Sequence, residues 1–374
     1  MPIARRNREK PLSEIGTELN FDLLKRLCET PGVPSREERM RELVVAELRP
    51  LTDTIEQDAM GNVIATKKGA ADGPRVMIAA HMDEIGFLVK FIDDRGFLRL
   101  LPVGGWDPRT MVAQRVLVHG FAGQSLRGAL MPAAKPAHLL TAEDAGKSLK
   151  IEEFFVDLGM SGEKVKELVE VGDMVTMDRT AERVGDTVVS KTLDNRLSVF
   201  IMIEALRLLK SKSVSSTLLA VATVQEEVGL RGATTAAYAL KPDIGIALDV
   251  TLAVDYAGAA ETERVTQLGK GAAIKIIDSS LICHPKIVRH FRDIAESKNI
   301  PYQLEVLPRG GTDAGGIQRS RGGVPSFTLS IPTRYIHTVN EMAHVDDIQA
   351  AITLLAAYLE EAHTRQYGYA GDIK

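Results

Sequence analysis

The feature that most constrains the fold is a strand-like run that ends on two adjacent carboxylates. Residues 217–224 are apolar and rich in β-branched side chains, a pattern typical of a strand buried on both faces of a parallel sheet. Glu226 and Glu227 follow this run, and residues 243–248 repeat the pattern and lead into Asp249. Because ligands bind beyond the carboxyl ends of strands in open α/β sheets, we expect these acidic side chains to converge. Three or more converging carboxylates repel one another unless a cation holds them, so the pattern predicts a metal site.

The rest of the chain predicts an α/β fold with an insert. With 374 residues it is long enough for a large core and a second domain. Helical and strand-like segments alternate over residues 20–86 and again over 186–374, which predicts one discontinuous domain built on a mixed sheet with helices on both faces. Residues 87–185 are mainly short alternating segments punctuated by Gly and Pro, which predict a small barrel-like, β-rich insert. Residues 1–19 are polar and charged and are expected to form a flexible arm.

Local signals predict individual elements. Ser35 begins a Ser-x-x-Glu capping box, which predicts a helix that opens there and continues through Leu48. Residues 54–67 predict a hairpin, and Leu197–Lys210 predicts an amphipathic helix. Leu130–Lys147 is rich in Ala and Pro and is expected to form a mobile loop.

Composition excludes several classes of protein. The net charge of −4 provides no electrostatic attraction for nucleic acid. No apolar run approaches the roughly 18–20 residues that cross a bilayer, and no apolar segment of a secretory signal follows the basic N-terminus. Cys28 and Cys283 are far apart and lie in apolar contexts, so a disulfide framework or a structural zinc site is not expected. These features predict a cytoplasmic protein with no nucleic-acid or membrane partner.

Six residues are candidate metal ligands or catalytic groups because they lie at or near the ends of the α/β segments. They are His81, Asp194, Glu226, Glu227, Asp249 and His337. Two imidazoles with several carboxylates and no thiolate suit Zn²⁺, Co²⁺ or Mn²⁺. Taken singly, a histidine beside an apolar strand is more often a packed core residue, and Asp194 could simply cap the helix that follows it. Their joint placement favours a metal site, with His344 as the competitor of His337.

The adjacent pair Glu226 and Glu227 has a specific chemical interpretation. Successive side chains at a strand end point in different directions, so one carboxylate can hold a cation while its neighbour acts as a general base on water. Without the other candidate ligands, we would interpret Glu226 and Glu227 as a solvated acidic pair at the start of a loop.

The segment GGTDAGG at residues 310–316 resembles a phosphate loop only superficially. It lacks the Lys-Ser/Thr ending and does not lead from a strand into a helix in the Walker manner. We expect Gly310 and Gly311 to let the backbone approach the substrate or the metal site closely. Asp313 is a candidate contact for a substrate amine, and a role in forming the turn is equally compatible with the sequence.

The motifs, taken together and in order, resemble the tetrahedral aminopeptidase family. The matching segments are AAHMDEIGF (79–87), FFVDLG (154–159), SKTLDNR (190–196), VQEEVGLRGA (224–233), ALDV (247–250), GGTDAGG (310–316) and RYIHT (334–338). The family comprises dinuclear-metal exopeptidases, also called glutamyl or deblocking aminopeptidases, some of which were once labelled endoglucanases. The similarity extends from about Phe21 to Tyr358.

The resemblance implies a role for each candidate. Two divalent cations, Zn²⁺ or Co²⁺, would be bridged by Asp194. Residues His81 and Asp249 would complete one site, and Glu227 and His337 the other. The general base would be Glu226, and Asp83 would hold the imidazole of His81. The resemblance further implies the fold of the zinc peptidases, a dimerisation role for the insert, and assembly of dimers into a tetrahedral dodecamer that trims peptides.

Three alternatives remain beside a metal-dependent aminopeptidase. A carboxypeptidase or an N-acyl amino acid deacylase would share the metal site, and a non-catalytic metal-binding scaffold would share the fold. A glycosidase needs two carboxyl groups across a sugar cleft, usually with aromatic platforms, and only 5% of this chain is aromatic. The sequence leaves open the preferred N-terminal residue of the substrate and the choice between Zn²⁺ and Co²⁺.

Overall fold

A computed structural model describes residues 19–70, 72–135, 137–139 and 148–369. In these ranges the α-helices are α1 (Phe21–Glu29), α2 (Glu38–Leu48), α3 (Gly162–Leu168), α4 (Leu193–Leu208), α5 (Arg231–Leu240), α6 (Pro285–Ser297), α7 (Asp313–Gln318) and α8 (Val345–Glu361). The strands are β1 (Thr54–Gln57), β2 (Val63–Lys67), β3 (Arg75–His81), β4 (Gly86–Ile92), β5 (Leu98–Val103), β6 (Gln114–His119), β7 (Ser125–Pro132), β8 (Phe154–Asp157), β9 (Met174–Met177), β10 (Glu182–Val184), β11 (Thr187–Ser190), β12 (Thr217–Thr223), β13 (Ile244–Leu252), β14 (Ala272–Ile277), β15 (Tyr302–Val306), β16 (Ser326–Arg334) and β17 (Glu341–His344). The N-terminal arm predicted for residues 1–19 lies outside the described residues except for the buried Leu19, as do parts of the loop predicted at 130–147.

The larger sheet is mixed, as predicted. Within the described part of the chain it has eleven strands in the order β1-β2-β12-β3-β13-β16-β17-β11-β10, with β14 beside β16 and β15 beside β14. At its centre β12, β3, β13 and β16 run parallel to their neighbours. The carboxyl ends of these four strands therefore meet along one edge, which is where ligands bind in open α/β sheets.

Helices cover both faces of this sheet. Side chains alternate along β3, so that Val76 and Ile78 belong to one apolar core and Met77 and Ala79 to another. Helices α4, α6 and α8 pack on the first face, and α5 and α7 pack on the second. Because both faces are covered, the central strands are apolar along nearly their whole length, which explains the unbroken run that the sequence showed. The predicted α/β fold is confirmed.

The insert is a closed six-stranded barrel with strand order β4-β5-β8-β7-β6-β9. Its own apolar core includes Phe87, Val116, Phe154 and Val175, all fully buried. The predicted β-rich, barrel-like insert is thereby confirmed. The last barrel strand ends at Met177, whereas β10, inside the range predicted for the insert, pairs with β11 in the larger sheet.

The structure corrects two local predictions. Ser35 does not cap α2, which begins at Glu38; instead the backbone N–H of Ser35, a residue with a φ of 71°, donates to the carboxylate of Glu37 at 2.9 Å. This carboxylate is buried and also accepts the N–H of Gln225, so a contact distant in sequence replaces the local cap. Helix α4 begins at Leu193 rather than at residue 197, although its second and third residues have non-helical backbone angles. The predicted hairpin is confirmed by the antiparallel pair β1–β2.

Two general features complete the description. Among the residues described, no helix is long and apolar enough to cross a membrane. Cys28 and Cys283 are both free and buried, and burial raises the pKa of each thiol to about 12, so neither is ionised near neutral pH.

Candidate metal centre and active site

A cavity of about 510 Å³ opens at the carboxyl ends of the central strands. Its lining residues are His81, Asp194, Glu226, Glu227, Leu230, Asp249, Val250, Thr251, Leu252, Leu307, Arg309, Gly310, Gly311, Ile336 and His337. All six residues that the sequence identified as candidate ligands or base are in this list. The cavity therefore joins a polar floor of imidazoles and carboxylates to a wall of apolar side chains.

The central strands position four of these residues. His81 is the last residue of β3, beside the last residue of β12, Thr223. Glu226 and Glu227 follow β12 after a turn in which Gln225 has a φ of 56°. Asp249, which the sequence placed at a strand end, instead lies three residues inside β13, because this strand continues to Leu252 along its neighbour β16.

The imidazole of His81 faces three carboxylates. Its Nε2 atom is 3.2 Å from Oδ1 of Asp194, 3.8 Å from Oε2 of Glu226 and 4.0 Å from Oδ1 of Asp249. The side chain of His81 is 2% exposed, so these charged groups meet almost entirely away from water.

A second cluster shares Asp194 with the first. Nε2 of His337 is 3.4 Å from Oδ2 of Asp194 and 3.4 Å from Oε1 of Glu227. Asp194 thus directs one carboxylate oxygen to each histidine. This geometry suits a carboxylate that bridges two cations. Both oxygens of Asp194 face histidines, and no described backbone N–H of α4 donates to them, so Asp194 is not a simple helix cap.

Three carboxylates of the cluster have raised pKa values. Burial raises the pKa of Glu226 well above its usual value, and the nearby charges of Asp249 and Glu227 raise it further. Burial also raises the pKa of Asp249 and Glu227, in both cases with a further contribution from Asp194.

The pKa values of His337 and Asp194 shift in the direction that favours the charged form of each group. Burial lowers the pKa of His337, but Asp194 and Glu227 overcome this effect and raise it to about 12. Burial raises the pKa of Asp194, yet hydrogen bonds to His337 and His81 hold it below its usual range. The imidazoles and Asp194 thus shift each other's pKa values in opposite directions, as buried groups of opposite charge do.

The residues present fit divalent cations. Ligand atoms about 2.0–2.2 Å from one cation lie roughly 3–4 Å from each other, the range of the distances given above. The ligand atoms of His81, Asp194 and Asp249 lie within 4.8 Å of one another, and so do those of Asp194, Glu227 and His337. A third group of the same kind, His81 with Glu226 and Glu227, overlaps both.

Comparison with known proteins agrees with this geometry. The family model of the M42 glutamyl aminopeptidases matches residues 61–354. The chain belongs to this family. As a member of a peptidase family, it is a peptide hydrolase.

Individual relatives match nearly the whole chain. A putative aminopeptidase of Acetivibrio thermocellus is 42% identical over 336 residues, which cover 90% of this chain and 97% of that protein. The lysyl aminopeptidase of Pyrococcus furiosus is 37% identical over 348 residues, 92% of this chain and 97% of that protein. Among solved structures, the TET1 peptidase of Pyrococcus horikoshii, described as assembling into a tetrahedron or a large octahedral shell, superposes with a TM-score of 0.81 at 32% identity, over 91% of this chain and 99% of that chain.

Asp83 contacts three of the residues on one side of the site of this M42 peptidase, namely His81, Glu226 and Glu227. Its carboxylate is fully buried and accepts the backbone N–H of Glu226 at 3.0 Å and that of Glu227 at 3.1 Å. Nδ1 of His81 lies 3.2 Å from the backbone carbonyl oxygen of Asp83 and 3.5 Å from one of its carboxylate oxygens. Asp83 thereby fixes the loop after β12 against the end of β3 and orients the imidazole.

Glu341, which the sequence analysis did not identify, forms hydrogen bonds with two residues on the other side of the site. Its buried carboxylate accepts the backbone N–H of Asp194 at 2.9 Å and that of His337 at 2.8 Å. Burial raises the pKa of Glu341 well above its usual value, and the charge of Asp194 adds to this rise. No motif marks Glu341 in the sequence. Its only local signal is its position four residues after His337.

A buried ion group is formed by residues of two motifs that do not reach the cavity. Nζ of Lys191 is 2.6 Å from one carboxylate oxygen of Glu84, and the guanidinium of Arg196 is 3.8 Å from the other. The same carboxylate accepts the N–H of Gly32 at 3.0 Å. These contacts join the segments on either side of the barrel insert.

Of the other residues that the sequence analysis named, Gly310 and Gly311 line the cavity, whereas Asp313 and His344 do not. Asp313 is 2% exposed and is not among the lining residues; the hydroxyl of Thr223 donates to its Oδ2, and burial raises its pKa to about 6. His344, the competitor of His337, precedes α8, where its Nδ1 accepts the N–H of Asp346.

Proposed function

We propose that this M42 peptidase is an aminopeptidase that uses two divalent cations bridged by Asp194, with Glu226 as the general base. The observation that carries the proposal is the orientation of Asp194, whose two oxygens face two different histidines beside a carboxylate pair. His81 and Asp249 would hold one cation, and Glu227 and His337 the other. Two cations in this cluster would supply the positive charge that polarises the scissile carbonyl and acidifies a water molecule.

Glu226 would take a proton from the attacking water and return it to the leaving amine. A carboxylate suits this role when it lies beside the ligands of the cation that acidifies the water, and Oε2 of Glu226 is 3.8 Å from Nε2 of His81. Its backbone N–H is fixed by Asp83, so the carboxylate is positioned before the substrate arrives.

The substrate side of the cavity accounts for exopeptidase activity. The free α-amine of a peptide would bind at a metal ion or at a carboxylate of this cluster, and a blocked N-terminus would lose that contact. Gly310 and Gly311 would let the peptide backbone approach the metal centre. We propose that Asp313, buried below the cavity, supports the floor through Thr223 rather than touching the amine.

The test compares a free and an N-acetylated peptide as substrates of the metal-loaded wild type, of Glu226→Gln and of Glu163→Gln. Glu163 is exposed on the barrel and serves as the matched control. We expect wild type and control to remove the first residue of the free peptide only, and Glu226→Gln to bind two metals without hydrolysis. Trimming from the C-terminus or deacylation would establish one of the related hydrolases on the same centre. Absence of any metal-dependent hydrolysis would favour the scaffold.

We also propose that the barrel mediates dimerisation and that the dimers form a tetrahedral dodecamer in the cytoplasm. The tetrahedral assembly described for the Pyrococcus horikoshii relative and the exposed apolar side chains of the barrel, such as Phe91 and Phe121, support the assembly. Two buried free cysteines are consistent with a reducing compartment. Light scattering should give about twelve times the chain mass of 40.7 kDa, and a monomeric mass would contradict the proposal.

A further inference from the structure

The loop that follows barrel strand β5 reaches the cluster that contains His337. It begins with Gly104 and Gly105, directly after β5 ends at Val103. A Cβ atom added to Gly105 would lie 3.3 Å from Nδ1 and 3.5 Å from Cε1 of His337, and one added to Gly104 would lie 3.4 Å from Oε2 of Glu227. The backbone of the barrel therefore lies beside two of the ligands that we propose, with little room for a side chain between them.

Trp106 fixes this loop to the barrel. Its indole N–H donates to the carbonyl of Gly86 at 3.1 Å, and its ring stacks on that of Phe87 with 4.9 Å between the centroids. Gly104 has a φ of 86°, a conformation that glycine adopts without strain. The position of the loop is thus set by contacts within the barrel.

The turn that carries His337 is attached to the barrel as well. Val339, two residues further on, is 6% exposed and belongs to the apolar core of the barrel. The side chain of Asn340 accepts a hydrogen bond from the guanidinium of Arg179 at 3.1 Å. The barrel therefore contacts both the imidazole of His337 and the backbone segment that carries it.

The two histidines of the site differ in what faces their second ring nitrogen. Nδ1 of His81 has two oxygens of Asp83 within 3.5 Å. No described residue forms a hydrogen bond with Nδ1 of His337, although 34% of this side chain is exposed and burial alone does not hold it. The other ring nitrogen of a metal-bound imidazole usually has a partner that orients the ring. Beside Nδ1 of His337 lies the backbone of Gly105 instead.

We propose that Gly105 is a positioning residue, through which the barrel holds the imidazole of His337 in the orientation that completes the second cation site. The inference rests on the two-cation centre proposed above and gives the insert a role in the active site besides dimerisation. Nε2 of His337 is directed toward Asp194 and Glu227, and close packing at Gly105 keeps the ring from moving away from them.

The experiment measures the affinity of both cations in Gly105→Ala by stepwise chelator competition on protein loaded with Zn²⁺. The added methyl group would lie closer to Nδ1 than an ordinary contact, so the imidazole has to shift, and the φ of Gly105 is not in the left-handed region. The affinity of the cation at His337 should fall about tenfold, and that of the other cation should stay within about twofold of wild type. Gly322→Ala, which places its methyl group in open space, is the matched control and should leave both affinities unchanged.

Reference variants assign the effect to one cation. His337→Ala identifies the cation that depends on this residue, and Gly105→Ala should weaken it by less than about twofold more in the double variant, because the contact is already absent.

A second variant acts on the same turn without changing Gly105. Val339→Ala loosens the packing of the turn in the barrel core and should weaken the cation at His337 about threefold. Val156→Ala, in β8 of the same core, is its control and should leave both affinities unchanged. If Gly105→Ala does not fold, this pair of variants decides the question.

The outcomes separate this inference from the proposed function. Unchanged affinities in folded Gly105→Ala, equal weakening of both cations, or additive losses in the double variant would overturn the inference. A selective loss in a protein that hydrolyses no free peptide would support the role of Gly105 and remove the aminopeptidase. Binding of fewer than two cations by the wild type would overturn both.

Discussion

Replacement of Glu341 by alanine is expected to loosen Asp194 and His337, two of the metal ligands that we propose. The carboxylate of Glu341 accepts the backbone N–H groups of Asp194 and His337 at 2.9 and 2.8 Å and is 2% exposed. Hydrogen bonds to charged groups contribute roughly 1.5–3 kcal/mol each, and loss of a residue that orients metal ligands typically lowers metal affinity roughly 10–100-fold. Because both bonds reach ligands of the same cluster, we expect the upper end of that range, a loss of about 100-fold, or about 2.8 kcal/mol.

Glutamine at this position provides an intermediate case. Its carbonyl oxygen can accept one of the two N–H groups, whereas its amide nitrogen faces the other donor, so we expect a loss of about tenfold for Glu341→Gln. Competition with a chelator measures the affinity of each metal, and urea denaturation of the metal-free variants reports folding separately. Glu163→Ala, a substitution of an exposed glutamate, serves as the control.

We expect the Glu341 variants to weaken one of the two proposed cation sites more than the other. The cation that we propose at Asp194, Glu227 and His337 should be lost first, and the one proposed at His81 should be retained longer, since Asp83 still fixes that side. If both Glu341 variants fold and bind two metals with affinities within about twofold of wild type, the reasoning that backbone hydrogen bonds set the ligand geometry is refuted.

Three further predictions follow from the same structure. Asp83→Asn exchanges one acceptor oxygen for a donor that faces a backbone N–H, so metal affinity measured by chelator competition should fall roughly 10–100-fold, and an unchanged affinity would contradict the role of Asp83. Gly232→Ala places a methyl group 2.5 Å from the carbonyl of Val224 and should lower the free energy of unfolding by about 1–3 kcal/mol, whereas Gly322→Ala, in open space, should change it by less than about 0.5 kcal/mol in urea denaturation. Burial lowers the pKa of His119 from 6.5 to about 4, so its contribution to stability is present above pH 6.5 and is lost as the pH falls toward 4. Metal-free wild type should therefore lose about 2–3 kcal/mol more than His119→Gln between about pH 7.5 and 4.5, and equal losses would refute the assignment.

Much of the site could be predicted because its residues follow buried parallel strands. The apolar runs of β12 and β13 identified two central strands, and the polar residues at or after them had to lie near one edge of the sheet. The placement of Asp249 was less accurate, since β13 extends past it to Leu252. A strand that is paired with β16 throughout its length need not end where its sequence becomes polar.

Local signals failed where a distant partner competed with them. Ser35 and the glutamate that completes its box satisfy the pattern of a helix cap, but Glu37 is drawn into a buried contact with Gln225, and the helix begins later. Sequence patterns describe neighbours along the chain, whereas this carboxylate is bonded to a residue that folding brings close.

The sequence by itself determined the α/β architecture, the inserted barrel and the six residues that converge on the cavity, because each follows from hydrophobic periodicity and from chemistry at strand ends. Only the tertiary structure decided which atoms meet. The two oxygens of Asp194 face different histidines, and Glu341 accepts the backbone N–H groups of Asp194 and His337 from an adjacent antiparallel strand. The contacts of Asp194 depend on strand register between segments more than a hundred residues apart, and no local pattern encodes them.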